Sequence, residues 1–320
     1  MAAPARIRHS VIMPVHQGEA YLDASLASLH RQHDVDPEQL EIVAVDDGST
    51  DASPDLLRDW SDRLPLRVLR REGGSNWMAA TNAGLREARG DWLHFLHQDD
   101  LWAPERLHTL DHAIERFPGT AFFCHSTRFI DPEGRRLGLW RPPLPIDAPL
   151  SAAQVFARCA AQNGLAIAAP CFHRDLLART NPLREDLWFL ADWEFWLRLI
   201  HSAGGAVCLN APLAAFRLHP ASQTSTRTDD EADLRQQFAE VRTLLTDLNG
   251  GVHPDEAAAR VNEDLTVTLA NWSHGAKGVP FRTLSGWIKL GPVRALRFLR
   301  DTRTLPRVLA RLRLRVRHRQ

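Results

Sequence analysis

No two of the four cysteines, Cys124, Cys159, Cys171 and Cys208, stand in a C-x-x-C pair. That excludes a zinc ribbon or a disulfide framework and points to reduced core thiols. No apolar run approaches the roughly 18–20 residues that a membrane span needs. The opening MAAPARIRHS carries no apolar leader region ahead of the first strand, so a cytosolic protein with at most peripheral membrane contact is expected. His94, His97 and His125 do not form an H-E-x-x-H pattern, which excludes a hydrolytic zinc site of that kind. The stretch after the first strand, PVHQGEAY, lacks G-x-G-x-x-G, which excludes a dinucleotide-dependent dehydrogenase. Internal repeats and low-complexity tracts are also missing.

Net charge is absent overall, with 39 basic and 39 acidic residues in 320, but it is unevenly spread. From Gly286 onward there are eleven Lys or Arg against one acid, Asp301, so the body is net acidic and the tail basic. A hydrophobic content of 44% and a charged content of 24% are those of a globular protein with a sizeable core.

Short β-branched runs alternate with helical spacing through the first hundred residues. Strands are predicted at His9–Pro14, Leu40–Val45, Leu66–Leu69 and Trp92–Leu96, with helices over 18–32, from about 51 or 53, over 76–88 and after Pro104. This rhythm predicts a mostly parallel sheet of right-handed βαβ units flanked by helices. Further on, strands are predicted at 121–130, 137–140, 165–169, 206–209 and 213–218. Helices are predicted at 151–161, 174–178 and 190–202, and the four prolines of Arg141–Leu150 predict an irregular loop. Beyond Asp229 only helical periodicity is present. The expected boundary lies near Ser225, giving a domain over 1–225 and a helical region over 226–320.

The stretch GDWLHFLHQDDLWAP, residues 90–104, ends a strand in two adjacent carboxylates, Asp99 and Asp100. Side by side they repel unless a positive group lies between them. Divalent Mg²⁺ or Mn²⁺ holding a phosphorylated ligand fits, since hard cations prefer carboxylate and phosphate oxygens. A solvated acidic turn ahead of a helix fits as well. The loop Asp46–Asp51 falls on the same sheet edge, where ligands of such folds bind.

Taken together, SVIMPVHQGEAYLDASLASL, IVAVDDGSTDAS, NAGLREARGDWLHFLHQDDLWAPERL, DWEFWLRL and FRLHPAS resemble the inverting GT-A glycosyltransferases of family 2 over about residues 9 to 225. The resemblance implies a GT-A fold, a nucleotide-sugar donor with uracil or thymine as base, Mn²⁺ or Mg²⁺, and transfer to a sugar hydroxyl with inversion. It implies that Pro14 and Val15 line the nucleotide pocket through their backbone, that Asp47 accepts from the base, and that Glu19 is the acidic residue of the first loop. Asn82, with Asn76 and Trp77, is expected in the sugar-phosphate region, Thr81 standing where the family has arginine. Asp99 and Asp100 match the metal-binding block, with His97 in place of its first acid. Arg217 is expected to bind diphosphate, and His219 to complete the metal shell. Asp192 matches the catalytic base and is a candidate helix N-cap, with Ala191 where an acid is usual and Glu194 as runner-up. An inverting transfer needs one such carboxylate to take the acceptor proton.

The tail GPVRALRFLRDTRTLPRVLARLRLRVRHRQ alternates arginine with Leu, Val and Phe, which suits an anionic membrane surface first, a solvated helical appendage packed on the core second, and nucleic acid least. A lipid-linked or glycan acceptor of bacterial surface-polysaccharide synthesis would fit. His97 and Ala191, each in place of an acid, leave a second class open: a catalytically weak GT-A-like protein that binds a nucleotide sugar or scaffolds a complex.

Overall fold

A computed structural model describes residues 6–219, 222, 230–273 and 281–302. Strands β1 (His9–Val15), β2 (Leu40–Asp47), β3 (Leu66–Arg71) and β4 (Trp92–Phe95) form the parallel half of one sheet in the order 3-2-1-4. β1 and β2 are buried along their whole length, as near-continuous Val, Ile and Ala runs require. Helices α1 (Leu22–His30), α2 (Ser53–Ser61) and α3 (Trp77–Glu87) make the crossovers. Asn76 caps α3 by accepting from the Met78 and Ala79 amides, both at 3.1 Å. Neither Asp51 nor Ser53 is the N-cap of α2, which is Ala52. The Asp51 carboxylate accepts from Ser53 N–H at 3.0 Å, and Glu19 accepts from Ala52 N–H at 3.1 Å.

The other half is mixed. After β5 (Leu101–Trp102) and α4 (Arg106–Arg116) come β6 (Phe122–Ile130), β7 (Arg136–Trp140), β8 (Pro149–Ser151), α5 (Ala152–Cys159), β9 (Cys171–His173), α6 (Ala191–Ser202) and β10 (Gly205–Arg217). The sheet continues 4-9-6-10-5, with β7 on β6 and β8 on β10. The two strands predicted at 206–209 and 213–218 are one, β10, whose register on β6 shifts around Pro212 because proline cannot donate to the ladder.

The strand predicted at Leu165–Ala169 does not form. That segment is a buried turn ahead of β9, with Ala169 N–H donating to Ala166 C=O at 2.9 Å. Its outward carbonyls need another donor, and Arg106 supplies it. The Arg106 Nη2 donates to Ala168 and Pro170 C=O at 3.4 and 3.2 Å. Arg106 is wholly buried, its guanidinium 3.7 Å from the Trp102 ring centroid, and burial brings its pKa down to about 9. The rest of its surroundings are imidazoles. Arg106 Nε lies 3.1 Å from His125 Nε2 and Nη1 3.0 Å from His94 Nδ1. His94 Nε2 is 3.0 Å from His9 Nδ1, and His9 Nε2 is 3.2 Å from Asp111.

The main core lies on one face of the sheet, where α6 presses Phe195 and Trp196 against Phe95 of β4 and Phe172 of β9. Helices α7 (Glu231–Leu248) and α8 (Glu256–Ser273) share this core through Leu234, Phe238, Val241, Leu245 and Val267. Buried Gln237 of α7 accepts from Phe189 and Leu190 N–H at 3.0 and 3.4 Å, immediately before α6. Helices α9 (Phe281–Leu290) and α10 (Pro292–Thr302) close a smaller cluster of Ala258, Val261, Leu290 and Phe298. The expected boundary residue Ser225 and the tail beyond 302 lie outside the described residues.

Burial, with the Arg106 charge beside them, holds the His94 and His125 imidazoles well below their usual value. In the unfolded chain both bind a proton near pH 6.5. Between that pH and their depressed folded values the unfolded state binds more protons, so stability falls as pH falls. Urea unfolding should lose up to about 2.7 kcal/mol per pH unit below pH 6.5 from these two groups. His125→Asn should flatten that slope.

Candidate active site

The carboxyl ends of β1, β2 and β4 meet on one edge. β4 pairs with β1 only from His9 to Ile12, so Pro14, on the same ladder side as Ile12, faces the edge that β4 has left. A residue without an N–H is tolerated there. Val15 pairs with Asp46 of β2. The loops are stitched by Gln98, which accepts from His16 N–H at 2.7 Å and donates to His16 C=O at 2.9 Å. Gly18 packs closely on this amide, since a Cβ there would lie 2.7 Å from the Gln98 oxygen. Gln17 accepts from Thr50 and Asp51 N–H at 2.8 and 3.2 Å, and the Glu19 N–H donates to Asp51 at 3.0 Å. Gln98, His16 and Gln17 went unread in the sequence because their partners are distant backbone groups.

Asp46 closes the turn after β2 by accepting from Ser49 N–H at 2.9 Å, and pairs with Arg70. Asp47 is almost wholly buried. It accepts from Asn76 N–H at 3.0 Å, forms an ion pair with Arg71 at 3.0 Å, and faces Gly73, where any Cβ would come within 2.2 Å of its oxygen. Asn82 is engaged away from the sheet edge. Its amide donates to Leu183 C=O and Glu185 at 2.9 and 3.1 Å and accepts from Leu183 N–H at 2.9 Å. The geometry therefore makes Asn82 a tie between α3 and the chain before α6. Thr81 is buried and donates to Trp77 C=O at 2.7 Å.

The acidic turn follows β4. Asp99, partly open, has one oxygen 3.0 Å from His219 Nε2. Burial raises its carboxyl, but the His219 hydrogen bond and the neighbouring imidazoles outweigh that and leave it below its usual value. Asp100 is fully buried. One oxygen accepts from Arg217 N–H at 3.0 Å and the other has no hydrogen-bond partner; burial, then the Asp99 charge, push its carboxyl well up. His97 Nε2 is likewise buried without a hydrogen-bond partner, and burial holds its imidazole below the usual value. Its ring lies 5.1 Å from that of Trp77.

Arg217 is nearly buried. It donates to Asp99 C=O at 2.8 Å and to Asp131 and Pro132 C=O at 3.1 and 2.7 Å, over the Tyr21 ring at 4.7 Å. Through Nε and Nη1 this guanidinium braces the turn of Asp99 and Asp100, where the sequence points to a diphosphate contact.

Among the described residues no three His, Cys, Asp or Glu form a ready metal cage. The donor set still fits a divalent cation completed by ligand oxygens. Asp99 and His219 converge, and Asp100 adds an orphaned buried oxygen. A mixed carboxylate–imidazole set suits Mn²⁺ better than Mg²⁺.

Asp192 is the second residue of α6, whose N-cap is Leu190, so the expected capping role is not the one it has. Its Oδ1 accepts from Trp193 N–H at 2.7 Å and its Oδ2 from Asn163 Nδ2 at 2.9 Å. Glu194 is tied to Arg198 by bonds of 2.7 and 2.8 Å and to nothing at the sheet edge, as an i,i+4 pair would be.

A parallel 3-2-1-4 sheet half, a mixed half and an acidic turn beyond β4 define a GT-A-type glycosyltransferase. The family model for "Glycosyl transferase family 2" matches residues 10–156. An uncharacterised protein of Mycobacterium tuberculosis (strain CDC 1551) is 30% identical over 242 residues, 70% of this chain and 71% of its own. An uncharacterised glycosyltransferase of Haemophilus influenzae is 26% identical over 221 residues, 69% of this chain and 71% of its own. Validoxylamine A glucosyltransferase of Streptomyces hygroscopicus subsp. limoneus is 38% identical over 97 residues, 30% of this chain and 21% of that enzyme. Staphylococcus aureus TarS 1-349 in complex with UDP-GlcNAc has a similar fold, with a TM-score of 0.65 at 16% identity over 96% of this chain and 92% of TarS 1-349. Mannosyltransferase PcManGT of Pyrobaculum calidifontis, in complex with GDP-Man and Mn²⁺, gives 0.58 at 17% identity over 97% of this chain and 87% of its own. The chain belongs to glycosyltransferase family 2.

Replacing Arg217 by lysine keeps the charge but loses the planar fork that reaches three carbonyls. Arg217→Lys should lower unfolding stability by about 2–3 kcal/mol, measured by urea denaturation.

Proposed function

We propose that the protein is an inverting, metal-dependent glycosyltransferase. It moves a sugar from a UDP- or dTDP-linked donor to a hydroxyl of a glycan or lipid-linked acceptor in bacterial surface-polysaccharide synthesis. The observation that carries this is the packing of α6 on β4 through Phe195, Trp196 and Phe95, which ties the helix bearing Asp192 to the strand that leads into the turn of Asp99 and Asp100. UDP-GlcNAc, UDP and GDP-Man in the structurally similar enzymes support a nucleotide-sugar donor. Pro14, Val15 and Asp47 hold the nucleoside in this reading. The base N–H needs the Asp47 oxygen that now faces Arg71 and Gly73, so the 72–75 stretch gives way on binding.

Asp192 takes the acceptor hydroxyl proton as that oxygen bonds to the anomeric carbon. The bond from that carbon to the diphosphate oxygen breaks on the opposite face, and its electron pair leaves with the nucleoside diphosphate. Asp99 and His219, with Asp100 behind them, would hold the divalent cation, which would supply stabilisation of charge on the departing diphosphate. Arg217 keeps the two carboxylates in place. Calorimetric titration should show UDP or dTDP binding that depends on Mn²⁺ and is lost in Asp99→Ala. Asp192→Asn should bind equally well and lose transfer by about 10²-fold or more. Binding without transfer in the unaltered protein would favour the sugar-binding or scaffold reading.

The acceptor side is proposed to lie against the inner face of the cell membrane. Among the described residues no helix is long and apolar enough to cross a membrane. α9 and α10 nevertheless present Leu284, Ile288, Val293 and Leu296 outward, Ile288 at 79% exposure, beside Lys289 and Arg297. Apolar side chains flanked by cations match an anionic lipid surface. The protein should float with vesicles containing phosphatidylglycerol and not with phosphatidylcholine alone. Ile288→Asp with Leu296→Asp should abolish flotation and leave nucleotide binding intact.

A further inference from the structure

Asp192 is held through one oxygen by the Trp193 N–H of its own helix and through the other from outside it. Asn163, in the irregular stretch between α5 and β9, reaches across 29 residues to its Oδ2 at 2.9 Å. The orientation of the Asn163 amide is forced by its other contact. Its Oδ1 accepts from Leu165 N–H at 3.0 Å, so the NH₂ end must face the aspartate. The stretch is itself clamped from two sides. Gly164 lies so close to the proline-rich loop that a Cβ would come within 2.6 Å of Pro143 and 3.2 Å of the Cys159 sulfur. Arg106 grips the carbonyls of Ala168 and Pro170 a few residues on. Buried Leu165 and Ala166 lie between these anchors.

We propose that Asn163 is the positioning residue for the base. It fixes Asp192 in the rotamer that can receive the acceptor proton, and the 141–150 loop acts on turnover through Gly164. The proposal rests on the reading of Asp192 as base. It assigns a role to a residue outside every motif of the chain.

Two substitutions separate positioning from a merely local role. Asn163→Asp keeps an oxygen for Leu165 N–H but places a second oxygen 2.9 Å from the Asp192 oxygen, where like charges repel. Asn163→Ala loses both contacts. If Asn163 positions the base, Asn163→Asp keeps a melting temperature near that of the unaltered protein. Its turnover falls about 10²-fold at unchanged donor KM, as small misplacements of a reacting group cost. Asn163→Ala falls less in turnover and more in melting temperature. Turnover is read as nucleoside diphosphate release from UDP-glucose, UDP-N-acetylglucosamine or dTDP-glucose, and crystal structures of both variants report the Asp192 rotamer. An Asn163→Asp enzyme as fast as the unaltered one, or an Asp192 side chain unmoved in its crystal structure, overturns the proposal. Full turnover in Asp192→Asn removes the base reading itself. Turnover lost in Asp192→Asn but kept in Asn163→Asp overturns Asn163 alone.

Discussion

Repulsion between Asp99 and Asp100 is the constraint on which the rest of this molecule is arranged. Consecutive carboxylates at the end of a buried strand can persist only if the surroundings treat them differently. Here one is open toward the sheet edge and faces His219, while its neighbour is sealed and keeps an oxygen unpaired. Arg217 holds this division by donating from its backbone N–H to one Asp100 side-chain oxygen and from its guanidinium to the Asp99 backbone C=O, which leaves the Asp99 carboxylate for other partners. β10 must therefore arrive beside β6 in the register that delivers Arg217 to the turn, and the shift at Pro212 is part of that delivery. A site that stores an unsatisfied carboxylate sacrifices stability where it needs affinity.

The parallel half of the sheet was legible because its signals are local. The runs HSVIMP and LEIVAV and the helix over 76–88 each declare themselves within a dozen residues. The acidic turn and the helix of Asp192 were legible for the same reason, and because their motifs follow in a family's order. Non-local satisfaction defeated the reading elsewhere. Leu165–Ala169 has the apolar look of a strand, but its Ala168 carbonyl is met by a guanidinium 62 residues away in sequence. Gln98 reads as a spacer between His97 and Asp99 until His16 is found beside it. Asn82 was placed at the donor by motif, yet the groups it binds lie in a segment with no motif at all.

The helices after the sheet are more than an appendage to a finished domain. Leu234 and Phe238 enter the same apolar cluster as Phe95 and Trp196, and Gln237 satisfies the amides that lead into α6. Unpaired N–H groups at a helix start must find acceptors, and here the acceptor is Gln237 of α7, 47 residues beyond Leu190. The orientation of Asp192 is thus coupled to the docking of α7. Any surface that engages α9 and α10 acts on the same stack of helices.

The buried cluster around Arg106 has a direction. Guanidinium can only donate, so His94 Nδ1 and His125 Nε2 must both be bare acceptors. Each ring then carries its hydrogen on the opposite nitrogen. His125 hands it to Ser126 C=O, and His94 to His9, which passes its own to Asp111. Three tautomers, none legible from a ring's shape, are decided by one residue that has no choice. The interior of this protein is in effect a one-way chain of hydrogens, leaving α4 at the Arg106 cation and returning to it at the Asp111 carboxylate.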